Sequence, residues 1–347
     1  MRTVATVIGH FGFGIESLDG QTVKTKNITA ELERRYGVAE IQKIDTHGGI
    51  RTLLKAPAQV CKALSSSQNV IILPAHNGIR VYIPLLKWMG SFYKHVKIHY
   101  VVIGGWLPEF LQKHPHLAKQ LKRIDGIYVE TRTMKTALEQ QGFRNIYILP
   151  NFKSLHILDE SELVYCTEEP LKLCTFSRVM REKGIEDALD AVKAVNEHYG
   201  RTVYSLDIYG QIDAGQTEWF ANLRESFPDY VQYRGVVPFG QSVETLKDYF
   251  ALLFPTFYDG EGFAGTLIDS FSAGVPVVSS DWRYNAELVD EGKTGTLFAL
   301  RDVVGCASKL SYIAEHIDEW NQMKSHCIEK ANEYRPERAI EMLYNRL

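Results

Sequence analysis

The chain has no C-x-x-C pair, no two aspartates two residues apart, no uninterrupted apolar run of 18 residues and, between residues 51 and 100, not one Asp or Glu. Each absence removes a class of protein. The five cysteines, Cys61, Cys166, Cys174, Cys306 and Cys327, are odd in number and scattered, which argues against a disulfide framework and a cysteine-ligated zinc site. They read as mostly buried thiols. The longest apolar stretches are broken by Pro74, His76, Asn77 and Arg80, so none is long enough to cross a bilayer as a helix. The residues around Val4–Ile8 do not form a signal-peptide arrangement, and the expectation is a soluble cytoplasmic chain. With no close aspartate pair, no metal site is expected. No repeat of 20–50 residues and no low-complexity tract is visible, which sets solenoids aside.

What is present points to two domains. A chain of 347 residues with 45% apolar content exceeds the usual size of one core. Residues 1–150 hold 20 Lys and Arg against 10 Asp and Glu, whereas the remainder holds 19 against 32. The acid-free window contributes Arg51, Lys55, Lys62, Arg80, Lys87, Lys94 and Lys97, a stretch suited to an anionic surface. Short β-rich runs alternate with helical spacing at 3–9, 39–44, 69–75, 98–104, 126–131 and 145–150, with Ile28, Leu32 and Tyr36 four apart between the first two. Residues 151–170 read as an acidic linker, and the alternation resumes at 172–177, 203–209, 230–235, 251–256, 275–280 and 295–299. Strand, helix, strand at this rhythm predicts α/β architecture with parallel sheets. Two Rossmann-like domains are expected, at 1–150 and 171–334, facing each other across a cleft, with ligands at the strand C-terminal ends.

The segment "TFYDGEGFAGTLIDSFSAGVPVVSS" (256–280) places Gly260, Gly262 and Gly265 around Glu261 just after a strand, then a helix carrying Asp269 that Gly274 and Pro276 stop. Glycines let backbone N–H groups approach a ligand, and the free N–H groups of a helix start favour an anion. Carboxylates accept hydrogen bonds from vicinal hydroxyls. An anion beside two hydroxyl readers describes a sugar nucleotide. In "TFSRVMREKGIEDALDAV" (175–192), Arg178 follows a strand and Lys183 stands at a Gly184 turn, a fork and a point charge for phosphate oxygens.

In this order the two segments resemble the donor-binding half of the GT-B fold glycosyltransferases of family 4, the retaining group with an E-x7-E motif. "DGQTVKTKNITAELERRYG" (19–37) is similar to the family's first glycine-rich loop and helix, "YILPN" (147–151) to its interdomain entry, and "YRPERAIEMLYNRL" (334–347) to the C-terminal helix that returns to the first domain. The resemblance implies that Arg178 and Lys183 bind the donor diphosphate and that Glu261 meets the donor sugar. It gives Gly262, Phe263, Ala264, Gly265 and Thr266 to the sugar and phosphate, and Asp269 to the ribose. Gly210 with Gly235 and Val236 would flank the nucleotide, and Gly12, Gly14 and Gly20 would add donor contacts. The implied reaction moves a hexosyl group from a nucleotide-diphosphate sugar, expected to be a UDP-sugar, to a saccharide acceptor, without a cofactor or metal. The leaving phosphate takes the acceptor proton, and lobe closure excludes water.

Two departures stand out. The second acid is Asp269, not Glu, and "VVIGGWLPE" puts Gly104, Gly105 and Trp106 where many relatives carry a His. His76 in "LPAHNG" and His10 are the acceptor-side candidates, with His76 taken as catalytic. Residues 80–97 mix Ile83, Leu86, Trp88, Phe92 and Tyr93 with lysines, either an ordinary sheet-covering helix or a peripheral contact with an anionic membrane. The second reading implies a lipid-linked acceptor in surface polysaccharide or glycolipid synthesis at the inner face of the plasma membrane. A nicotinamide dehydrogenase is disfavoured because "GHFGFGIESLDG" is not G-x-G-x-x-G and no acid convincingly ends the second strand. A nonhydrolysing sugar-nucleotide epimerase or another GT-B enzyme, and a catalytically silent GT-B binding protein, are the alternatives on fold. Nucleic-acid binding has only the basic first half in its favour.

Overall fold

A computed structural model describes residues 2–14, 20–47, 52, 54–238 and 240–347. By internal contacts the chain divides into a first unit of residues 1–154 with 335–347 and a second of residues 155–334. Among the described residues each holds one six-stranded parallel sheet.

The first unit runs β1 (Thr3–Gly9), α1 (Gly20–Tyr36), β2 (Ile41–Asp45), α2 (Ala56–Ser66), β3 (Ser67–Ile72), α3 (His76–Gly90), β4 (Lys97–Val101), α4 (Leu107–Gln112), α5 (Pro115–Leu121), β5 (Gly126–Val129), α6 (Arg132–Gln140) and β6 (Ile146–Ile148). Its strand order is β2-β1-β3-β4-β5-β6. Central strands bury nearly every side chain: β1 is covered from Ala5 onward and β3 from Asn69 onward. That is why they read as continuous apolar runs, since a parallel sheet is covered on both faces. Two short helices, Pro336–Ala339 and Glu341–Tyr344, return to this unit. There Ile340 and Leu343 share a core with Ala5, Ile28 and Leu32, and the Tyr344 hydroxyl donates to Glu31 O at 2.8 Å.

The second unit continues with β7 (Leu171–Phe176), α7 (Ile185–Tyr199), β8 (Tyr204–Tyr209), α8 (Thr217–Glu225), β9 (Val231–Gly235), α9 (Ser242–Leu246), β10 (Ala251–Phe254), α10 (Gly265–Ser272), β11 (Val277–Ser280), α11 (Asn285–Leu288), β12 (Gly295–Phe298), α12 (Val303–Glu315) and α13 (Ile317–Glu333). Its order is β12-β11-β10-β7-β8-β9. The chain progresses outward in one direction from β7 and in the other from β10, so the topological switch lies between these neighbours, where open α/β sheets hold ligands. The corresponding switch in the first unit lies between β1 and β3. Of the cysteines, Cys174, Cys306 and Cys327 are buried, whereas Cys166 is half-buried and Cys61 exposed.

One buried polar cluster gives the first unit an acid-sensitive core. His99 of β4 places Nδ1 3.0 Å from the Tyr128 hydroxyl and Nε2 3.3 Å from Asn69 Oδ1. The Asn69 amide nitrogen donates to Val4 O, so its oxygen accepts and Nε2 carries a proton. Burial pulls the His99 pKa down to about 4, against the opposing charge of Asp125. Between that value and the ordinary histidine value of about 6.5, the unfolded chain binds a proton that the folded chain does not. Stability therefore falls as the pH drops through this window. In urea melts from about pH 7 to about pH 4, wild type should lose on the order of 3 kcal/mol more than His99→Gln. Parallel losses in the two proteins would refute it.

Candidate functional site

In the second unit the loops leaving β7 and β10, the two strands at the switch, meet. After β7 the chain passes Arg178 and makes a 3-10 turn, Arg181–Lys183, closed by Gly184 at φ 72. A Cβ there would lie 2.1 Å from Pro255 O, so only glycine lets the loops approach so closely. Phe257 N donates to Glu182 O at 2.8 Å and pins the second loop to the first. This closure places Lys183 Nζ 2.6 Å from Glu261 Oε2, with the two side chains only 12% and 8% exposed. The Thr256 hydroxyl donates to the same oxygen at 2.8 Å. Among the described residues the other oxygen, Oε1, has no hydrogen-bond partner. Glu261 is thus a braced carboxylate with one acceptor left for a ligand hydroxyl. The Lys183 ammonium also lies 4.9 Å from the Tyr258 ring centroid.

Beside it begins α10. Its N-cap, Ala264, supplies no side-chain cap, and the buried Thr266 hydroxyl in its first turn has no partner among the described residues. Buried polar atoms are nearly always paired, and an uncapped helix start offers N–H donors with a partial positive charge. The arrangement suits an anionic ligand. Asp269, one turn on, is 2% exposed and accepts from the Ser242 hydroxyl at 2.8 Å.

Arg178 is half-exposed, with Nη1 3.4 Å from Asp213 Oδ2. Its loop runs beside the exit of β8, where Gly210 at φ 134 would push a Cβ to 1.7 Å from Ser177 O. Gly210 N donates to Gly235 O at 2.8 Å, which links the two glycines expected to flank a nucleotide. Gly235 has φ 82 and open space at its Cβ, and Val236 beyond it is exposed. The structure therefore brings Lys183, Glu261 and the start of α10 together, with Gly210 and Gly235 adjoining Arg178. Thr256, Asp213 and Ser242 escaped the sequence reading. A hydroxyl residue directly after "ALLFP" could have flagged Thr256, whereas the other two are brought in only by folding.

In the first unit the β1–α1 loop is organised differently from expectation. β2 does end on an acid, Asp45, contrary to the sequence reading. Its carboxylate, however, accepts the N–H groups of Phe11 at 2.9 Å, Gly12 at 3.3 Å and Phe13 at 3.1 Å, together with that of His47. Burial pushes the Asp45 pKa up, but these four donors together outweigh it and hold it below the usual value. The Gly12 N–H is thus committed internally. Gly14 has φ 82 and Gly20 opens α1, while residues 15–19, including Ser17 and Asp19, lie outside the described residues. His10 hydrogen-bonds Thr22 through Nδ1 at 2.8 Å and His47 through Nε2 at 2.6 Å.

His76 opens α3, and its ring lies on Trp106, with centroids 3.8 Å apart, and beside Phe110. Trp106, from the loop after β4, thus braces the His at the start of α3. Burial, followed by the charge of Arg80, lowers the His76 pKa, which favours the neutral ring. Lys24 of α1 forms a fully buried ion pair with Glu130 past the end of β5 and also donates to Val102 O at 3.2 Å.

Residues 170–316, which contain the whole second-unit site, match the family model described as "Glycosyl transferases group 1". The two six-stranded α/β sheets are of the GT-B type found in solved glycosyltransferases. The crystal structure of Anabaena HepE in complex with UDP superposes with a TM-score of 0.75 over 99% of this chain and 98% of that one at 12% identity. TarM of S. aureus, in complex with fondaparinux, alpha-GlcNAc-glycerol and UDP, gives 0.65 over 85% of this chain and 58% of that one at 18% identity. Likeness at such identities is likeness of fold. Among curated proteins, the GtfA subunit of the UDP-N-acetylglucosamine–peptide N-acetylglucosaminyltransferase of Streptococcus gordonii is 28% identical over 179 residues, half of this chain. The amylovoran biosynthesis glycosyltransferase AmsK of Erwinia amylovora is 26% identical over 151 residues, or 42% of this chain. The matches span 34% and 37% of those two proteins.

Proposed function

We propose that the chain is a retaining, metal-independent glycosyltransferase of family 4 that moves a hexosyl group from a UDP-sugar to a saccharide acceptor, lipid-linked, in surface polysaccharide or glycolipid synthesis. The observation that carries the reading is the braced Glu261 beside an uncapped helix start whose Thr266 hydroxyl has no partner among the described residues. Glu261 Oε1 accepts from a hydroxyl of the donor sugar. The diphosphate lies on the first turn of α10, with Lys183 and Arg178 supplying positive charge. As the bond from the anomeric carbon to the phosphate oxygen breaks, negative charge grows on that oxygen, and donors already in place stabilise it without reorganising. The departing phosphate oxygen takes the proton of the incoming acceptor hydroxyl on the same face of the sugar, which gives retention. His76, kept neutral and braced by Trp106, meets the acceptor. The solved HepE and TarM structures hold UDP, which supports the choice of base. The absence of a close Asp pair, together with the cations already at the site, supports metal independence.

A thermal-shift panel with UDP, GDP, ADP and NAD tests the donor site. UDP alone should raise the melting temperature, and Arg178→Ala should lose most of that rise while its ligand-free stability stays within about 0.5 kcal/mol of wild type, as expected for a half-exposed side chain. A response to NAD, or to no nucleotide, would remove the proposal.

A further inference from the structure

α3 is apolar on two faces. Ile79, Tyr82, Ile83 and Leu86 point into the core and are buried, whereas Val81, Leu85 and Trp88, spaced four and three apart on another face, and Phe92 in the turn just beyond the helix, are half-buried or exposed. Trp88 is 66% and Phe92 76% exposed. An isolated exposed apolar side chain is ordinary, but two exposed large aromatics four residues apart, where an apolar stripe runs off the end of a helix, form a patch. The charges around it are of one sign. Lys87 stands on the same helix and Lys94 in the turn beyond it, while Lys55 and Lys62 come from the neighbouring α2, which α3 meets through a Tyr82 hydroxyl to Gln59 bond of 2.7 Å. Among the described residues none of these four lysines is paired with a carboxylate, whereas Lys43, Lys135, Lys247, Lys309 and Lys330 all are.

We infer that the α2–α3 face docks on an anionic lipid bilayer, with Trp88 and Phe92 seated at the level of the head groups and Lys62, Lys87 and Lys94 on lipid phosphates. Amphipathic rings prefer the membrane–water boundary, and each nearby lysine adds attraction to anionic lipid. A second copy of the chain is a poorer occupant, because a two-fold contact through this face would set lysines against lysines. The patch sits at the C-terminal end of α3, away from His76 at its start, so docking here tethers the protein to the bilayer; it rests on the surface alone and stands whichever sugar is moved.

The test is co-sedimentation of the full chain with phosphatidylcholine vesicles, with and without phosphatidylglycerol. Wild type should partition at least about tenfold more strongly onto the phosphatidylglycerol vesicles, and added salt should weaken that preference. Trp88→Ser/Phe92→Ser and, separately, Lys87→Glu/Lys94→Glu should each reduce it about tenfold or more while leaving the UDP thermal shift unchanged. The inference is overturned by equal or absent binding to the two vesicle types, or by undiminished binding of both variants. A concentration-dependent dimer that Trp88→Ser/Phe92→Ser abolishes, without vesicle binding, would make the patch a protein interface instead. Because vesicle binding and the nucleotide response are read separately, loss of one leaves the other informative.

Discussion

Lys183→Met is expected to destabilise the second unit by about 3–5 kcal/mol and to abolish sugar transfer in the same variant. The stability effect comes from what the substitution leaves behind. Lys183 and Glu261 are in direct contact with side chains 12% and 8% exposed, so removing the cation leaves a buried carboxylate held, among the described residues, by the Thr256 hydroxyl alone. Oε1 stays open to a ligand or water, but Oε2, which faced the ammonium, loses its charge partner in a site with little room for solvent. Neutralising both partners relieves most of this penalty, so Lys183→Met/Glu261→Gln should recover more than half of the lost stability. Activity should not follow. The double variant lacks both the sugar-reading carboxylate and a charge facing the leaving group, and transfer should remain at least ~10²-fold below wild type. Urea melts and initial rates on the same preparations separate the two roles. A Lys183→Met protein that is as stable as wild type and transfers sugar within about tenfold of it would contradict both parts.

Gly210→Ala should be the most damaging substitution of a single hydrogen by a methyl in the second unit. At φ 134 the new Cβ lies 1.7 Å from Ser177 O, and the obstacle is backbone, so no side-chain rotation relieves it. Either the exit of β8 or the loop carrying Arg178 must move. A loss of at least about 3 kcal/mol is expected from strain and overpacking together, with loss of the UDP response at temperatures where the protein remains folded. Gly184→Ala, with Pro255 O 2.1 Å from its Cβ, should behave similarly by parting Lys183 from Glu261. Gly200→Ala supplies the comparison. It has a left-handed φ of 63 but open space at its Cβ, and should cost only about 1–2 kcal/mol. If Gly210→Ala melts with Gly200→Ala, the close approach is not what holds the Arg178 loop.

The alternation of apolar runs was strong enough to place every strand within a few residues, because fully buried parallel strands leave little room for polar residues. The run at 251–256 became β10 (Ala251–Phe254), and that at 203–209 became β8 (Tyr204–Tyr209). Lys183, Glu261 and the glycines around them were also legible, since chemistry-bearing residues directly after strands have few alternative places to go in such a fold. The reading missed a partner at the β1–α1 loop. Gly12 looked like a ligand contact, yet its N–H is committed to Asp45, 33 residues away, and nothing in the local pattern of either segment announces that pairing.

From residue order alone came the strand and helix pattern, the two-domain layout, and the residue types gathered after β7 and β10. These follow from short-range periodicity and from the requirement that backbone polar groups be paired within sheets and helices. Tertiary structure alone decided which side chain braces which: Thr256 and Lys183 on one oxygen of Glu261, Trp106 beneath His76, and Asp45 across the first loop. Such contacts join segments tens of residues apart, and their geometry depends on the crossing of whole strands. It also decided that Trp88 and Phe92 lie outward while Ile83 and Leu86 lie inward, because a helix that is apolar on two faces leaves its periodicity undecided until one face is packed against the sheet.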